Sequence, residues 1–281
     1  MELFQLSTIE RNVLIASVFG DGAITKLYPG SRRRNNSYRE HFSSQQLDYR
    51  IWKLNLLPAN FYFNKAQSNI FSPSLTLFTE MFPYFYNPDG NKIISDEILK
   101  LCTSPIFLTT LFLDDGSLSI SVQRSKLKKL IYLTPHIYLY LQCFSQEDLI
   151  KLQTHIHSTF LIKLKVSKRS DGFGYVLKTT KVSETMKFLE VVLGASADCP
   201  SMFYKTNWNY RFEKEVQRYK ESDPDYEVIA SSSERSKNYS DVECNLIILM
   251  KTQGYTNRQI AEKLGRSYWS VVYKWREIRE R

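Results

Sequence analysis

Two short segments put carboxylates at the tip of a greasy run. "LTTLFLDDGSLSI", residues 108–120, ends its apolar stretch in Asp114, Asp115 and Gly116. "LIASVFGDGAI", residues 14–24, has the same shape, with Asp21 and Gly22 at its tip. A single Asp-Gly is a common turn and could simply join a helix to a strand. Recurrence argues for more, because the two segments align without gaps at an offset of 115 − 21 = 94 residues. Ala16 and Gly20 are small and one turn apart, a spacing that lets two helix backbones approach closely. Two such helices side by side would bring Asp21 beside Asp115. Close carboxylates are costly unless a cation joins them. Their hard oxygens suit Mg2+, or Mn2+, and such ions activate water and stabilise the leaving oxygen in phosphodiester hydrolysis.

The elements that must position these acids also repeat. "FSSQQL" begins at Phe42 and "FSQEDL" at Phe144, each with a serine able to cap a helix. "SQEDLIKLQTHIHSTFL" then carries Leu149, Leu152, Ile156 and Phe160 at helical spacing. "SLSISVQRS" alternates, with Leu118, Ile120 and Val122 opposite Ser119, Ser121 and Gln123. "IKLKVSK" sets Ile162, Leu164 and Val166 opposite Lys163, Lys165 and Ser167, and "HIYLYLQCF" and "FGYVLKTTK" supply two more strands. The second half reads helix, strand, strand, helix, strand, strand, helix; the first half fits the same order less cleanly, and a duplicated unit is the simplest account. The fold class is α+β, with antiparallel sheets that keep one face on helices and leave a polar, basic face for a partner.

The acid-tipped segments resemble the paired motifs of LAGLIDADG homing endonucleases, in the single-chain form with two pseudosymmetric αββαββα repeats. The likeness runs from about residue 8 to residue 210, and the chain is similar to yeast mitochondrial intron-encoded members. It implies a saddle of strands over double-stranded DNA. It also implies a divalent ion, Mg2+ or Mn2+, held by Asp21 and Asp115 as catalytic and metal-binding residues. By the same resemblance Lys92 in "GNKIISDEIL" and Lys205 in "SMFYKTNW" are the basic catalytic residues, with Gln45, Gln46 and Gln142 as further polar candidates. Asp114 occupies the motif's small-residue position, Gly20 in the first copy, and is given no catalytic role. Thr110 stands where the first motif has Ala16.

Basic runs fall between the first two strands of each repeat. Arg32, Arg33 and Arg34 form one, and "RSKLKK", with Arg124 and Lys126, forms the other. A charge run is usually a solvated surface. At equivalent places in a repeat, and with Lys163 and Lys165 on a strand face, phosphate contact is the better expectation. His155 and His157 are two apart on an expected helix, face away from each other and make a poor metal site.

The domain reading is a first repeat over 1–103, a second over 104–211, a charged, partly helical linker over 212–237 and a tail over 238–281. In the tail, Ser240, Thr256 and Ser267 can cap three short helices, with Gly254 and Gly265 as stops. "TNRQIAEKLGRSYWSVVYKW" resembles a homeodomain-like or Myb-like helix-turn-helix, with Ile260, Ala261, Leu264, Val271 and Trp275 as its core. That resemblance implies that Arg266, Tyr268, Trp269, Tyr273 and Lys274 face DNA; a protein-interaction module is the alternative.

Composition agrees with an anionic partner, the net charge of +9 being weak support by itself. The four cysteines form no CxxC pair, so no zinc ribbon or redox motif is indicated and reduced thiols are expected. The N-terminus lacks the pattern of a signal peptide and no apolar run would span a bilayer. The expectation is a soluble, intracellular, monomeric enzyme with no membrane partner. A transcription regulator on the same scaffold is one rival, although such regulators generally lack the acid pair. An RNA maturase assisting splicing, with RNA as partner, is the other.

Overall fold

A computed structural model describes residues 3–231, 239–266 and 268–279. The chain divides into two compact units, Met1–Ser233 and Glu234–Arg281.

The first repeat of the large unit contains α1 (Thr8–Phe19), β1 (Gly22–Thr25), β2 (Ser37–His41), α2 (Leu47–Leu56), β3 (Tyr62–Phe63), β4 (Asn69–Phe71), α3 (Thr76–Phe85) and α4 (Asp96–Leu99). The second contains α5 (Pro105–Asp115), β5 (Gly116–Ser125), β6 (Leu130–Leu139), α6 (Gln146–Phe160), β7 (Lys165–Lys168), β8 (Tyr175–Lys178) and α7 (Val182–Ala195). Each repeat builds one sheet, and the two have the same antiparallel order, β1-β2-β4-β3 and β5-β6-β8-β7. The duplicated α+β unit is therefore the architecture found.

The two motif helices form the centre. Ser7 caps α1 by accepting from the Glu10 amide, and Glu10 returns the contact to the Ser7 amide. Ser104 caps α5, with Pro105 at its first position. Val13 to Phe19 and Ile106 to Asp114 are all buried, so both helices are covered on every side. Each fully buried Leu, Val or Phe contributes about 1.5–3 kcal/mol. Phe19 joins the halves, with its ring 6.1 Å from Phe107 and 5.7 Å from Phe144. Asn12 bridges the helix starts, donating to the Leu101 carbonyl and accepting from the Ser104 amide.

Three expectations about elements need correction. The second strand of the second repeat runs from Leu130 to Leu139, not from His136, because only a tight turn with Lys129 at φ +52° separates it from β5. Strand β7 begins at Lys165, and Ile162 and Leu164 are buried before it. The stretch from 212 does not behave as a linker as far as Ala230. It continues α9 (Trp208–Ser222), which follows α8 (Phe203–Thr206), and forms β9 (Glu227–Ala230), which pairs in parallel with β6 from Leu130 to Leu133. Trp208, Phe212, Glu215 and Tyr219 make a helical stripe that packs inward, and Arg211 and Arg218 pair with Glu215.

The small unit contains α10 (Asp241–Thr252), α11 (Asn257–Leu264) and α12 (Tyr268–Arg279). Ser240 and Thr256 close capping boxes with Glu243 and Gln259, and Gly265 ends α11 in the left-handed conformation. Its core is Ile247, Met250, Ile260, Ala261 and Val271, with Leu264 and Trp275 packed against it. The expected Ser267 cap lies outside the described residues.

Candidate active site

The motif helices end in acids because each stops where a strand must start. α1 ends at Phe19 and Gly22 opens β1; α5 ends at Asp115 and Gly116 opens β5. Gly20 permits the close approach, since a Cβ there would lie 2.7 Å from the Asp114 Cβ. Asp21 remains exposed at the tip, while Asp115 is half-buried and Asp114 is buried.

Electrostatics show which groups share the centre. The Asp115 carboxyl is pushed up to about 7, first by burial and then by the negative charges of Asp21 and Asp114; Lys92 and Lys205 oppose the shift. Burial pulls both lysines down, and the acids partly restore them. Lys92 sits in a hairpin after α3 and donates its Nζ to the carbonyls of Gly20 at 2.8 Å and Gly22 at 2.9 Å. Lys205, on α8, donates to the Leu113 carbonyl at 2.8 Å. Each repeat thus supplies one acid and a later lysine that returns to the end of its own motif helix. Asp21, Asp115, Lys92 and Lys205 converge.

A second cluster was not foreseen. Arg50 and Lys53 of α2 are fully buried with Glu40 of β2 and Asp114. Arg50 donates to Asp21 at 2.5 Å, to Asp114 at 2.8 Å and to Glu40. Lys53 reaches Glu40 at 2.9 Å and Asp114 at 2.7 Å. Tyr49 donates to Asp114 at 2.7 Å, and Tyr38 donates to Glu40. Burial alone would raise the Asp114 carboxyl, but Lys53 and Arg50 hold it below its ordinary value. Gln46 also belongs here, 3.3 Å from Arg50, whereas Gln45 and Gln142 are exposed. Asp21, Glu40 and Asp114 each bring a carboxylate oxygen within 4.8 Å of the others, a spacing a metal ion could bridge. Arg50 and Lys53 already neutralise the two buried members.

The residues expected to meet DNA are dispersed. Arg32, Arg33, Arg34, Lys126, Lys163 and Lys165 are exposed, and Arg33 donates to Thr25 and Ser37. Arg124 lies on β5 rather than in a loop and forms a two-pronged pair with Asp223 at 2.6 and 3.0 Å. In the small unit Tyr268 and Tyr273 are exposed on α12, and the Trp269 side chain lies outside the described residues. Arg266 precedes α12 and is drawn inward, where it pairs with Glu243 and stacks on Tyr239. Lys274 pairs with Glu277 and is mostly covered. Arg266 ties the turn before α12 to α10 and Lys274 pairs along its own helix, so neither is presented outward as expected. The open face of the second sheet shows Ser119, Ser121 and Gln123 beside Tyr132, Thr134 and His136. The strand alternation points to that face, which carries no basic run.

Among the described residues no helix is long and apolar enough to cross a membrane. A search of curated proteins finds no match. Among solved structures, the homing endonuclease I-WcaI bound to its DNA recognition sequence is similar at a TM-score of 0.54 and 19% identity, over 72% of this chain and 87% of that one. The I-SmaMI LAGLIDADG homing endonuclease bound to cleaved DNA gives 0.47 and 12%, over 78% and 93%. The N-terminal LAGLIDADG domain of DUF199/WhiA gives 0.35 and 17%, over 68% and 87%. The first of these shows a shared fold. The profile of the LAGLIDADG DNA endonuclease family matches residues 11–188, more than half of the chain and both acid-tipped helices, and the chain belongs to that family.

Proposed function

We propose that the protein is a site-specific endonuclease that cuts both strands of a long, asymmetric DNA target. The observation that carries this reading is the convergence of Asp21 and Asp115 from two repeats, each with its lysine. Two linked repeats that differ in sequence suit an asymmetric target and a monomer. Retention of both acids favours cutting over a scaffold role. Incubating the protein with DNA that spans its gene's insertion point, the element removed, tests the reading; a single defined double-strand break is expected.

The donor set fits a divalent cation. Among the described residues no side chain donates to the Asp115 carboxylate, and its protonation near neutral pH reflects burial beside other acids. Asp21 and Asp115 would hold the ion. When bound, it would supply Lewis acidity and an activated water. Lys92 and Lys205, kept from full solvation by burial, are placed to stabilise a phosphate or orient a water near the acids.

Linkage gives a check without DNA. Asp115 titrates higher folded than unfolded, so without a cation its contribution to stability falls as pH rises from about 4 towards 7. A cation that binds the carboxylate offsets that loss. Mg2+ should therefore raise the melting temperature more at pH 8 than at pH 5, and Asp115→Asn should remove the difference. An equal Mg2+ effect at both pH values would argue against this ligand.

The small unit is proposed to be a helix-turn-helix module on flanking DNA, with Tyr268 and Tyr273 exposed on α12. Tethering raises its effective concentration at the target. Deleting residues 238–281 should weaken binding and shorten the footprint at one end. Cleavage at high enzyme concentration should persist, because all four converging residues lie outside the deletion. An unchanged footprint would favour a protein-interaction module.

A further inference from the structure

The buried cluster is one-sided in a molecule built of two repeats. Each member lacks a counterpart across the pseudosymmetry. Asp114 aligns with Gly20 of the first motif. Glu40 faces Gly22 across its strand pair, and the residue that faces Gly116 is Leu139. Aligning Phe42 with Phe144, an offset of 144 − 42 = 102, sets Arg50 on the buried Leu152 and Lys53 on His155. The result is unequal acids: Asp21 has a guanidinium on its carboxylate, and among the described residues Asp115 has none.

The cluster is also arranged to aim that guanidinium. Glu40 and Asp114 take Nη1 of Arg50, which leaves Nη2 for Asp21 and Gln46. Lys53 lies between Glu40 and Asp114 and balances the charge they bring. The Tyr49 ring lies under the guanidinium, 4.7 Å away. A guanidinium fixed on two sides loses little freedom when it makes a third contact. The only acid of the contact that reaches solvent is Asp21, with its side chain 30% exposed.

We propose that Asp114, with Glu40 and Lys53, is a positioning unit that locks Arg50 against Asp21 and thereby makes the enzyme cut the two DNA strands at unequal rates. Asp114 touches no reacting atom in this account. It acts through Arg50, so the motif's odd acid is the source of strand bias rather than a third metal ligand. The strand consequence rests on the endonuclease reading; the locking of Arg50 does not.

Two measurements test it. On DNA labelled at both ends, the wild-type protein should cut one strand roughly tenfold faster, within what a displaced positioning group costs. Asp114→Asn should change the ratio of the two rates by a similar factor, in kcat rather than KM. Because D114N leaves Lys53 facing a weakened partner set, the double variant D114N/K53M, neutral at both positions, is the second test and should change the ratio in the same direction. Equal wild-type rates, or variants that slow both strands alike, overturn the proposal. Side-chain 15N NMR of the metal-free protein, without DNA, should show slowly exchanging Arg50 guanidinium protons that D114N releases while the backbone spectrum persists. Protons that exchange equally fast in both proteins overturn the locking. If the wild type nicks neither strand, the endonuclease reading falls and the strand bias with it, and the NMR result alone decides whether Asp114 positions Arg50.

Discussion

Asp21→Asn and Asp115→Asn should each abolish double-strand cleavage while leaving DNA binding close to wild type. A metal-held water and a stabilised leaving oxygen are worth several kcal/mol, on the order of a thousandfold in rate. Neither substitution changes the shape at the tip, and both leave the open sheet faces intact. Chelating divalent ions should have the same effect as either variant. Mixing the two variants should restore nothing, because one chain supplies both acids. Recovery of cleavage in the mixture would mean that two chains share a site and would sink the monomer reading. Full cleavage by the double variant would sink the assignment of the acids.

The second large effect is on stability. Arg50→Met should destabilise the large unit by roughly 3–5 kcal/mol, because it leaves Glu40 and Asp114 buried with only Lys53 between them. For a unit of this size that lowers the melting temperature by roughly 10 °C. A pair with one solvated end, half-exposed Lys151 with Asp148, should cost under about 1 kcal/mol when broken, and Lys151→Met is the control. Thermal unfolding followed by circular dichroism decides the matter. Equal melting temperatures for the two variants would show that the buried charges are relieved in some other way.

The acids were readable because they come as a repeat. Asp21 alone would pass for a turn; Asp21 and Asp115 at one position of an aligned motif would not. The two lysines were found by resemblance only, since neither lies near an acid in the sequence. The buried cluster defeated a reading based on hydrophobic periodicity because α2 is turned the wrong way for it. Arg50 and Lys53 face the interior while Ile51 is 43% exposed. Charged residues are expected at the surface unless paired, and the pairing partners lie 10 to 64 residues away in sequence. The signal present was the set Gln46, Arg50 and Lys53, spaced four and three apart on one helical face. The stretch after Trp208 hid for a related reason. Its inward stripe includes Glu215, whose charge is met by arginines three and four residues away, so the segment looked solvated throughout.

Strand β9 has a consequence for where the chain can be cut. It covers the Leu130–Leu133 end of β6, which would otherwise carry unpaired amides and carbonyls along a sheet edge. Such a bare edge invites another chain to add to it. A fragment stopped at residue 211, where composition alone places the end of the second repeat, would strip away that cover and tend to self-associate into aggregates. One stopped just after Ser231 keeps the edge sealed, because the Ser231 amide still donates to the Leu133 carbonyl at 2.8 Å. The charged segment that resembled a tether is the edge cover of the second sheet.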